Sequence, residues 1–461
     1  MKRNSRWLLV LFTMLFVLLP FTTSASAEPL GDMRQLVKDY YVDDVPESVL
    51  MKNTALEITK QLDSHSVYMT AQEYQRFVNG IEKRIIGIGI VLEEDVKGIK
   101  VASVIPKGPA ERAGILAGDV ITHVGTQSLV GKSVQTATSW IGGQENTVVT
   151  LTVERTGQTG PLLMSIKREV ITMVNVESTM LGGNIGYIRL NSFASETAKE
   201  VNAAIQSLHG VKGWIVDLRN NGGGYITVAQ DMTGFFPNAI GAFQLREKTG
   251  KPQVFNAIPQ SNKLNAPTHL LMNGYSASAS EMVGAAVKEQ KLATIYGQTS
   301  YGKGSMQSMF NFTDGSVLKL TTARFYSPGG KAVDKVGVKP DVVTAKELEL
   351  EVSHRDQLIA QWKGYKAFPK LNNVPVTKKF QVEMNAEMDW SKLSNGDVQL
   401  IQLGGGESAV TISVTNERTV TVTPTKPLIA GKTYMLVIHP HWKGTNHYSM
   451  RQGIYLDVTV K

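Results

Sequence analysis

The spacing of apolar positions divides the chain into blocks of different character. Between Glu28 and Lys83 it is helical: Met33, Leu36, Val37, Tyr40 and Tyr41 recur near the helical period, as do Leu50, Leu56, Ile58 and Leu62. Asp63-Ser64-His65-Ser66 interrupts the run, and Thr70-Ala71-Gln72-Glu73 carries the capping-box pattern that opens another helix. This stretch reads as a small helical cap or a dimerisation arm. From Ile85 to about Val170, short apolar runs alternate with glycine-rich turns and predict strands over 86–92, 99–105, 120–124, 147–154 and 162–167. From Met180 to about Val343 the pattern alternates, with strands over 185–190, 214–218 and 269–272 and helices over 195–208 and 279–291. Such alternation predicts a layered α/β domain. Residues 350–377 are polar, carry Pro369 and Pro375, and read as a linker. Beyond them, turn-bounded strands over 380–384, 398–403, 410–414, 419–423, 434–438 and 454–460 predict an all-β sandwich. The expected layout is 28–84 helical, 85–172 a small β-rich domain, 173–349 the α/β core, 350–377 linker and 378–461 sandwich.

Residues 1–27 stand apart. Lys2, Arg3 and Arg6 precede an apolar run from Trp7 to Leu19, followed by Pro20 and the close Ala25-Ser26-Ala27. The run is short for a bilayer span and the ending suits signal peptidase, so an export signal and an extracytoplasmic location are expected, with an uncleaved anchor as the alternative. Without those three cations, the 48 basic residues become 45 against 40 acidic ones. That mild excess is spread along the chain without a basic run, so nucleic acid is not expected as a partner. Cysteine is absent, which removes disulfides, thiol catalysis, thiolate metal sites and lipoprotein processing from consideration.

The candidate chemistry lies in a few segments. Gly87-Ile88-Gly89-Ile90 is followed by Gly108-Pro109-Ala110-Glu111-Arg112-Ala113-Gly114-Ile115-Leu116-Ala117-Gly118-Asp119-Val120-Ile121. In the α/β block, Asp217-Leu218-Arg219-Asn220-Asn221-Gly222-Gly223-Gly224 follows a predicted strand. Consecutive glycines there let backbone N–H groups face a ligand, as an oxyanion hole requires, although phosphate sites and plain turns use the same device. Asn273-Gly274-Tyr275-Ser276-Ala277-Ser278-Ala279-Ser280-Glu281 precedes a predicted helix, where a serine gains from the helix dipole or simply caps the helix. Gly302-Lys303-Gly304-Ser305-Met306-Gln307 offers a lysine, but Gly304 stands where a phosphate loop needs Ser or Thr. His439, His441 and His447 do not form a metal motif, since Pro440 disrupts a shared face and no carboxylate pattern accompanies them.

The segment 108–121 resembles the PDZ signature almost letter for letter, and Gly87, Ile88, Gly89 and Ile90 stand where PDZ domains keep their carboxylate-binding loop. There a peptide adds as a strand and its terminal carboxylate meets free N–H groups. The segments together resemble the tail-specific, or C-terminal processing, peptidases. That resemblance runs from about Val37 to Asp341 and includes Leu62-Asp63-Ser64-His65-Ser66-Val67-Tyr68, Asp314-Gly315-Ser316, 321–330 and 337–341. It implies a crotonase-like (ClpP-like) α/β protease core with an inserted PDZ domain and an N-terminal helical region. By position it implies Ser278 as nucleophile, Lys303 as base 25 residues further on, and Gln307 as the third catalytic residue. If helical, Gln307 shares the face of Lys303. The oxyanion donors it implies are Ala279 N–H and Gly223 N–H, with Gly222 the alternative because it replaces a proline common in the family. Ser280 misses the spacing and reads as the helix cap. Arg168 follows the last PDZ strand, where the family often has an arginine coupling PDZ to protease; a solvated residue is the alternative. The segment from Phe380 resembles bacterial Ig-like domains, which implies a spacer or adhesion role at a surface.

Lysine is normally protonated, and burial is what could free its lone pair to accept the serine proton. The resemblance therefore implies an exported serine endopeptidase that reads apolar C-termini of protein substrates through its PDZ domain and cleaves upstream, without metal or cofactor. Cell-wall association through the C-terminal domain and pairing through the N-terminal helices are further expectations. Two readings compete: a catalytically silent PDZ scaffold at the cell surface, and an acyl-CoA enzyme on the same core. The first is disfavoured by Ser278, Lys303 and Gln307 occurring together, the second by the export signal and the PDZ signature.

Overall fold

The computed structural model describes residues 29–461, so the expected export signal lies outside the described residues. Its centre is a six-stranded sheet in the order Val176–Leu181, Ile185–Leu190, Gly213–Asp217, Thr268–Met272, Thr294–Gly297 and Val342–Val343. The first pair is antiparallel and the remaining neighbours are parallel. Side-chain alternation gives this sheet two buried faces. Trp214, Val216, Leu270 and Met272 point to one core, together with the helices Thr197–Ser207, Ile226–Thr233 and Ala279–Gln290. Ile215, Leu271 and Tyr296 point to another. Beyond the helices lies a second sheet built on the long strand Val317–Tyr326, which pairs with Val67–Met69, Gly241–Glu247 and Ser305–Asn311.

The N-terminal helices are part of this core. Met33, Val37, Tyr41 and Ile58 pack against Leu318 and Leu320, and Val67–Met69 joins the sheet directly. The capping box at Thr70 forms as expected and opens the helix Ala71–Ile81. From its end the chain enters the PDZ domain through a two-stranded ribbon, Arg84–Gly87 with Glu169–Thr172.

The expected PDZ strand over 86–92 is broken in two. Arg84–Gly87 belongs to the ribbon, Ile90–Asp95 begins the PDZ sheet, and Ile88 is buried between them beside Gly89 at φ +82°. Ile90–Asp95 is the edge strand, with the helix Val134–Ile141 packed alongside. Asp119 of the signature is buried and holds Arg155 through both oxygens, at 2.7 and 2.8 Å.

The predicted linker is mostly folded. Glu349–Gln361 is a helix that lies on the second face of the six-stranded sheet, and Leu371–Val374 pairs with the last strand of the sandwich. Leu358 and Trp362 pack with Ile401, Leu403, Met435 and Val437 of the Ig-like domain, so that domain is joined to the core rather than tethered. The helix escaped its sequence pattern because much of its buried face is polar. Glu349, Ser353, His354 and Gln357 are buried, and His354 bridges the Gly182 carbonyl and the Gly404 N–H at 2.8 and 2.9 Å. The sandwich strands form where expected. In it His441 bonds Asp397 at 2.9 Å, and His439 sits between Tyr365 and Gln399. Among the described residues, no helix is long and apolar enough to cross a membrane.

Candidate active site

Two strand ends build the site. Gly213–Asp217 leads into the glycine segment, where Asn220, Gly223 and Gly224 have φ of +60°, +102° and +150°. Thr268–Met272 leads into the serine segment and the helix Ala279–Gln290. Asn221, fully buried, ties the two together. Its carbonyl accepts from Ala277 N–H at 3.0 Å and from Ser280 Oγ at 2.9 Å, while its side chain holds the Leu190 carbonyl and the Gly223 N–H.

The three serines therefore have separate tasks. Ser276 donates to the Leu218 carbonyl at 2.8 Å and fixes the approach of the loop. Ser280 is not the cap: it lies inside the helix and holds the glycine segment through Asn221. Ser278 occupies the N-cap position at φ +56°, ψ −116°, a conformation that costs an L-residue about 1–3 kcal/mol. Ser278 and Glu281 are placed as a capping box, yet the Ser278 hydroxyl makes no cap bond, and Glu281 N–H goes to the Ser278 carbonyl at 2.8 Å. A strained serine turning from strand into helix, with its hydroxyl not engaged in capping, is the geometry of a nucleophile.

Glu281 joins the serine to the lysine. Fully buried, it accepts from Ser278 N–H and Lys303 N–H with one oxygen, each at 2.9 Å. Its other oxygen accepts from Gly302 N–H and Ser300 Oγ, each at 2.6 Å. Four donors on two oxygens is about a carboxylate's full complement. Sequence analysis did not single out Glu281; the signal available was its place three residues after Ser278, the Ser-x-x-Glu pattern. Gly302 takes φ +89°, and a Cβ on Gly304 would stand 2.3 Å from Asp334 N, so both glycines flanking Lys303 answer to backbone geometry.

Lys303 is half-buried, and Nζ has no hydrogen-bond or ion-pair partner among the described residues. Burial, reinforced by the charge of Lys319, lowers its pKa from 10.5 to about 8, against the pull of Asp63 and Glu281. Ser278, Lys303, Gln307 and the Gly222–Gly224 segment line one cleft of about 590 Å³, roofed by Tyr74, Phe77, Val78 and Ile81 of the Ala71–Ile81 helix. No hydrogen bond joins Ser278 Oγ to Lys303 Nζ in this conformation. Gln307 lies on the strand Ser305–Asn311 and not on a helix, and its amide donates to Ser305 Oγ and Thr321 Oγ1 at 3.0 and 3.1 Å.

The two expected oxyanion donors differ. Ala279 N–H, first in its helix, has no intrahelical acceptor. Gly223 lies against it: an added Cβ would stand 2.8 Å from the Ala277 carbonyl oxygen, 2.9 Å from Ser278 Cβ and 3.0 Å from Ala279 N. Its own N–H, however, is bonded to Asn221 Oδ1 at 2.9 Å. Behind the segment, Asp217 and Glu349 clasp Arg219 at 2.6 and 2.8 Å, and Tyr187 donates to Asp217 at 2.8 Å. These carboxylates hold the guanidinium pKa above its ordinary value, although burial alone would lower it. Arg168 neither reaches the protease nor stands free; its guanidinium caps the Val134–Ile141 helix through the carbonyls of Trp140 and Ile141.

Comparison with known proteins places the three domains in known families. The sequence matches Peptidase family S41 over residues 184–344, a PDZ domain over 100–155 and a bacterial Ig-like domain over 368–453. It is 33% identical over 378 residues to the carboxy-terminal processing protease CtpA of Bacillus subtilis, covering 80% of each chain. It is also 33% identical over 325 residues to the carboxy-terminal-processing protease of Bartonella bacilliformis, covering 69% of this chain and 75% of that one. Among solved structures, the photosystem II D1 C-terminal processing protease is 25% identical, with a TM-score of 0.46 over 72% of this chain and 95% of that one. With its strained serine, half-buried lysine and PDZ insertion, the chain belongs to peptidase family S41, among the carboxy-terminal processing serine proteases.

Proposed function

We propose that the protein is an exported endopeptidase that holds the C-terminus of a protein substrate in its PDZ domain and cleaves upstream at Ser278 through an acyl-enzyme. The observation that carries this reading is the single buried Glu281, which pins the backbones of both Ser278 and Lys303 beside one cleft. In its neutral form Lys303 takes the Ser278 proton as Oγ attacks the scissile carbonyl carbon, and the new oxyanion is met by Ala279 N–H. The C–N bond then breaks, the amine leaves with the proton from Lys303, and water hydrolyses the ester by the same route in reverse. Gly223 joins the oxyanion hole once its peptide turns away from Asn221, so the described conformation corresponds to a resting state; Gly222 N–H is the other donor within the segment. Gln307, lining the same cleft, is assigned to orient Lys303.

The substrate path is supported by a second cleft of about 770 Å³ between the ribbon Arg84–Ile86 and Gly143–Glu145 of the PDZ domain. Arg76 and Gly80 line both clefts, so this second cleft leads from the base of the PDZ domain toward Ser278. Exposed Tyr40, Met51 and Leu56 on the N-terminal helices support pairing of two copies, and the Ig-like domain supports attachment at the cell wall. The test is cleavage of an unfolded protein ending in apolar residues by the mature chain, with Ser278→Ala, Lys303→Ala and Gly89→Val in parallel. Loss in the first two and a raised KM in the third are expected. Cleavage persisting in Ser278→Ala overturns the reading.

A further inference from the structure

A second lysine enters the active-site cleft without a counterion. In the strand Val317–Tyr326, Leu318 and Leu320 are buried against the N-terminal helices, so alternation sends Lys319 to the opposite side, toward the cleft that it lines with Ser278 and Lys303. Register fixes it there, since Lys319 stands opposite Val67 on one side and Met309 on the other. Its ammonium lies 4.7 Å from the ring centre of Phe77, and among the described residues no carboxylate pairs with it. Removing a cation from water without a partner is costly, and such arrangements concentrate where they do chemical work.

Two carboxylates oppose this charge: Asp63, held by His65 N–H and Ser66 Oγ, and Glu281, held by its four donors, each pull Lys303 upward less than Lys319 pushes it down. His65 and Asp334 lie on the far side of the Gly302–Gly304 turn, and Arg76 and Lys83 add further positive charge to the same cleft. We propose that Lys319 is a positioning residue for catalysis: an unpaired cation, held by Phe77, that keeps the neighbouring Lys303 amine in its neutral, proton-accepting form. This rests on the assignment of Lys303 as the base for Ser278. The effect of Lys319 on Lys303 is second only to burial, and burial lowers Lys319 as well, against the pull of Asp63.

The test is the pH profile of kcat/KM on an apolar-tailed peptide from pH 6 to 10, for the full mature chain and a charge series at residue 319. Lys319→Arg keeps the acid limb in place. Lys319→Gln moves it upward by about one pH unit, slowing the reaction about tenfold at pH 7 while rates converge at high pH. Lys319→Glu moves it further. Should the Gln variant fail to fold, Arg and Glu still give the comparison. A limb that stays fixed across the series, or loss of activity at every pH including in the Arg variant, overturns the proposal. Lys303→Ala is the separate control: if it keeps the wild-type profile, the base assignment itself fails, whatever residue 319 does.

Discussion

Replacing Glu281 by glutamine tests the construction of the site with the loss of a single charge. One carboxylate oxygen serves Ser278 and Lys303, the other Gly302 and Ser300. An amide has one acceptor oxygen, so one pair must face an NH₂ group. With that NH₂ toward Ser278 and Lys303, both N–H groups lose their acceptor. With it toward Ser300, the hydroxyl can turn to accept, although it already receives Val338 N–H at 2.7 Å, and Gly302 N–H is stranded. Either way at least one buried donor is orphaned and charge-assisted bonds weaken, at a cost of about 2–4 kcal/mol in folding stability. The kinetic cost is larger than that figure suggests, because the same oxygen holds the backbones of Ser278 and Lys303, the proposed nucleophile and base, and misplacement by about 1 Å costs about a hundredfold in rate. Glu281→Gln is expected to fold, to unfold at lower urea, and to lose about a hundredfold or more in kcat/KM on a quenched fluorescent peptide. A variant within about threefold of wild-type kcat/KM, and within about 0.5 kcal/mol in stability, would falsify the assignment of Glu281 as the joint between Ser278 and Lys303.

The buried amine of Lys303 should be a stability liability. Its pKa falls from 10.5 unfolded to about 8 folded, so across that window the unfolded chain holds more protons and stability rises with pH. Lys303→Met is therefore expected to be more stable than wild type by roughly 1–3 kcal/mol at pH 7, with the gain fading toward pH 10.5; urea titrations at pH 7 and 10 that find no gain refute this. Gly223→Ala should abolish cleavage and destabilise by about 1–3 kcal/mol, since it sets a Cβ at φ +102° against Ala277 and Ser278, and an active, fully stable variant would contradict the packing. Arg219→Met leaves Asp217 and Glu349 buried without their cation and should cost about 3–5 kcal/mol in thermal or urea unfolding; a change under 1 kcal/mol would count against the network.

Much of this protein could be read from the chain because its information there is local. The PDZ signature is contiguous, with Asp119 closing its own turn on Leu116 N–H, and the sandwich strands alternate between turns, so short-range rules suffice. Ser278 and Lys303 were found by position in ordered motifs, and the structure brings both into one cleft. The sequence could not disclose what joins them. Glu281 stands as an ordinary first-turn acid of a helix, and Lys319 falls between the quoted motifs.

What the amino-acid order decided alone was the order of elements and which side chains are candidates for the chemistry, since periodicity, turns and motifs act over a few neighbours. Tertiary structure decided the rest. It buried the helix Glu349–Gln361 on polar contacts that no apolar pattern announces, and it tied the Ig-like domain to the protease sheet. It also lowered the basicity of Lys303, by burying it first and by bringing Lys319 near it second. Desolvation and charge proximity depend on distances between residues far apart in the chain, and those distances exist only once the sheets have closed around the cleft.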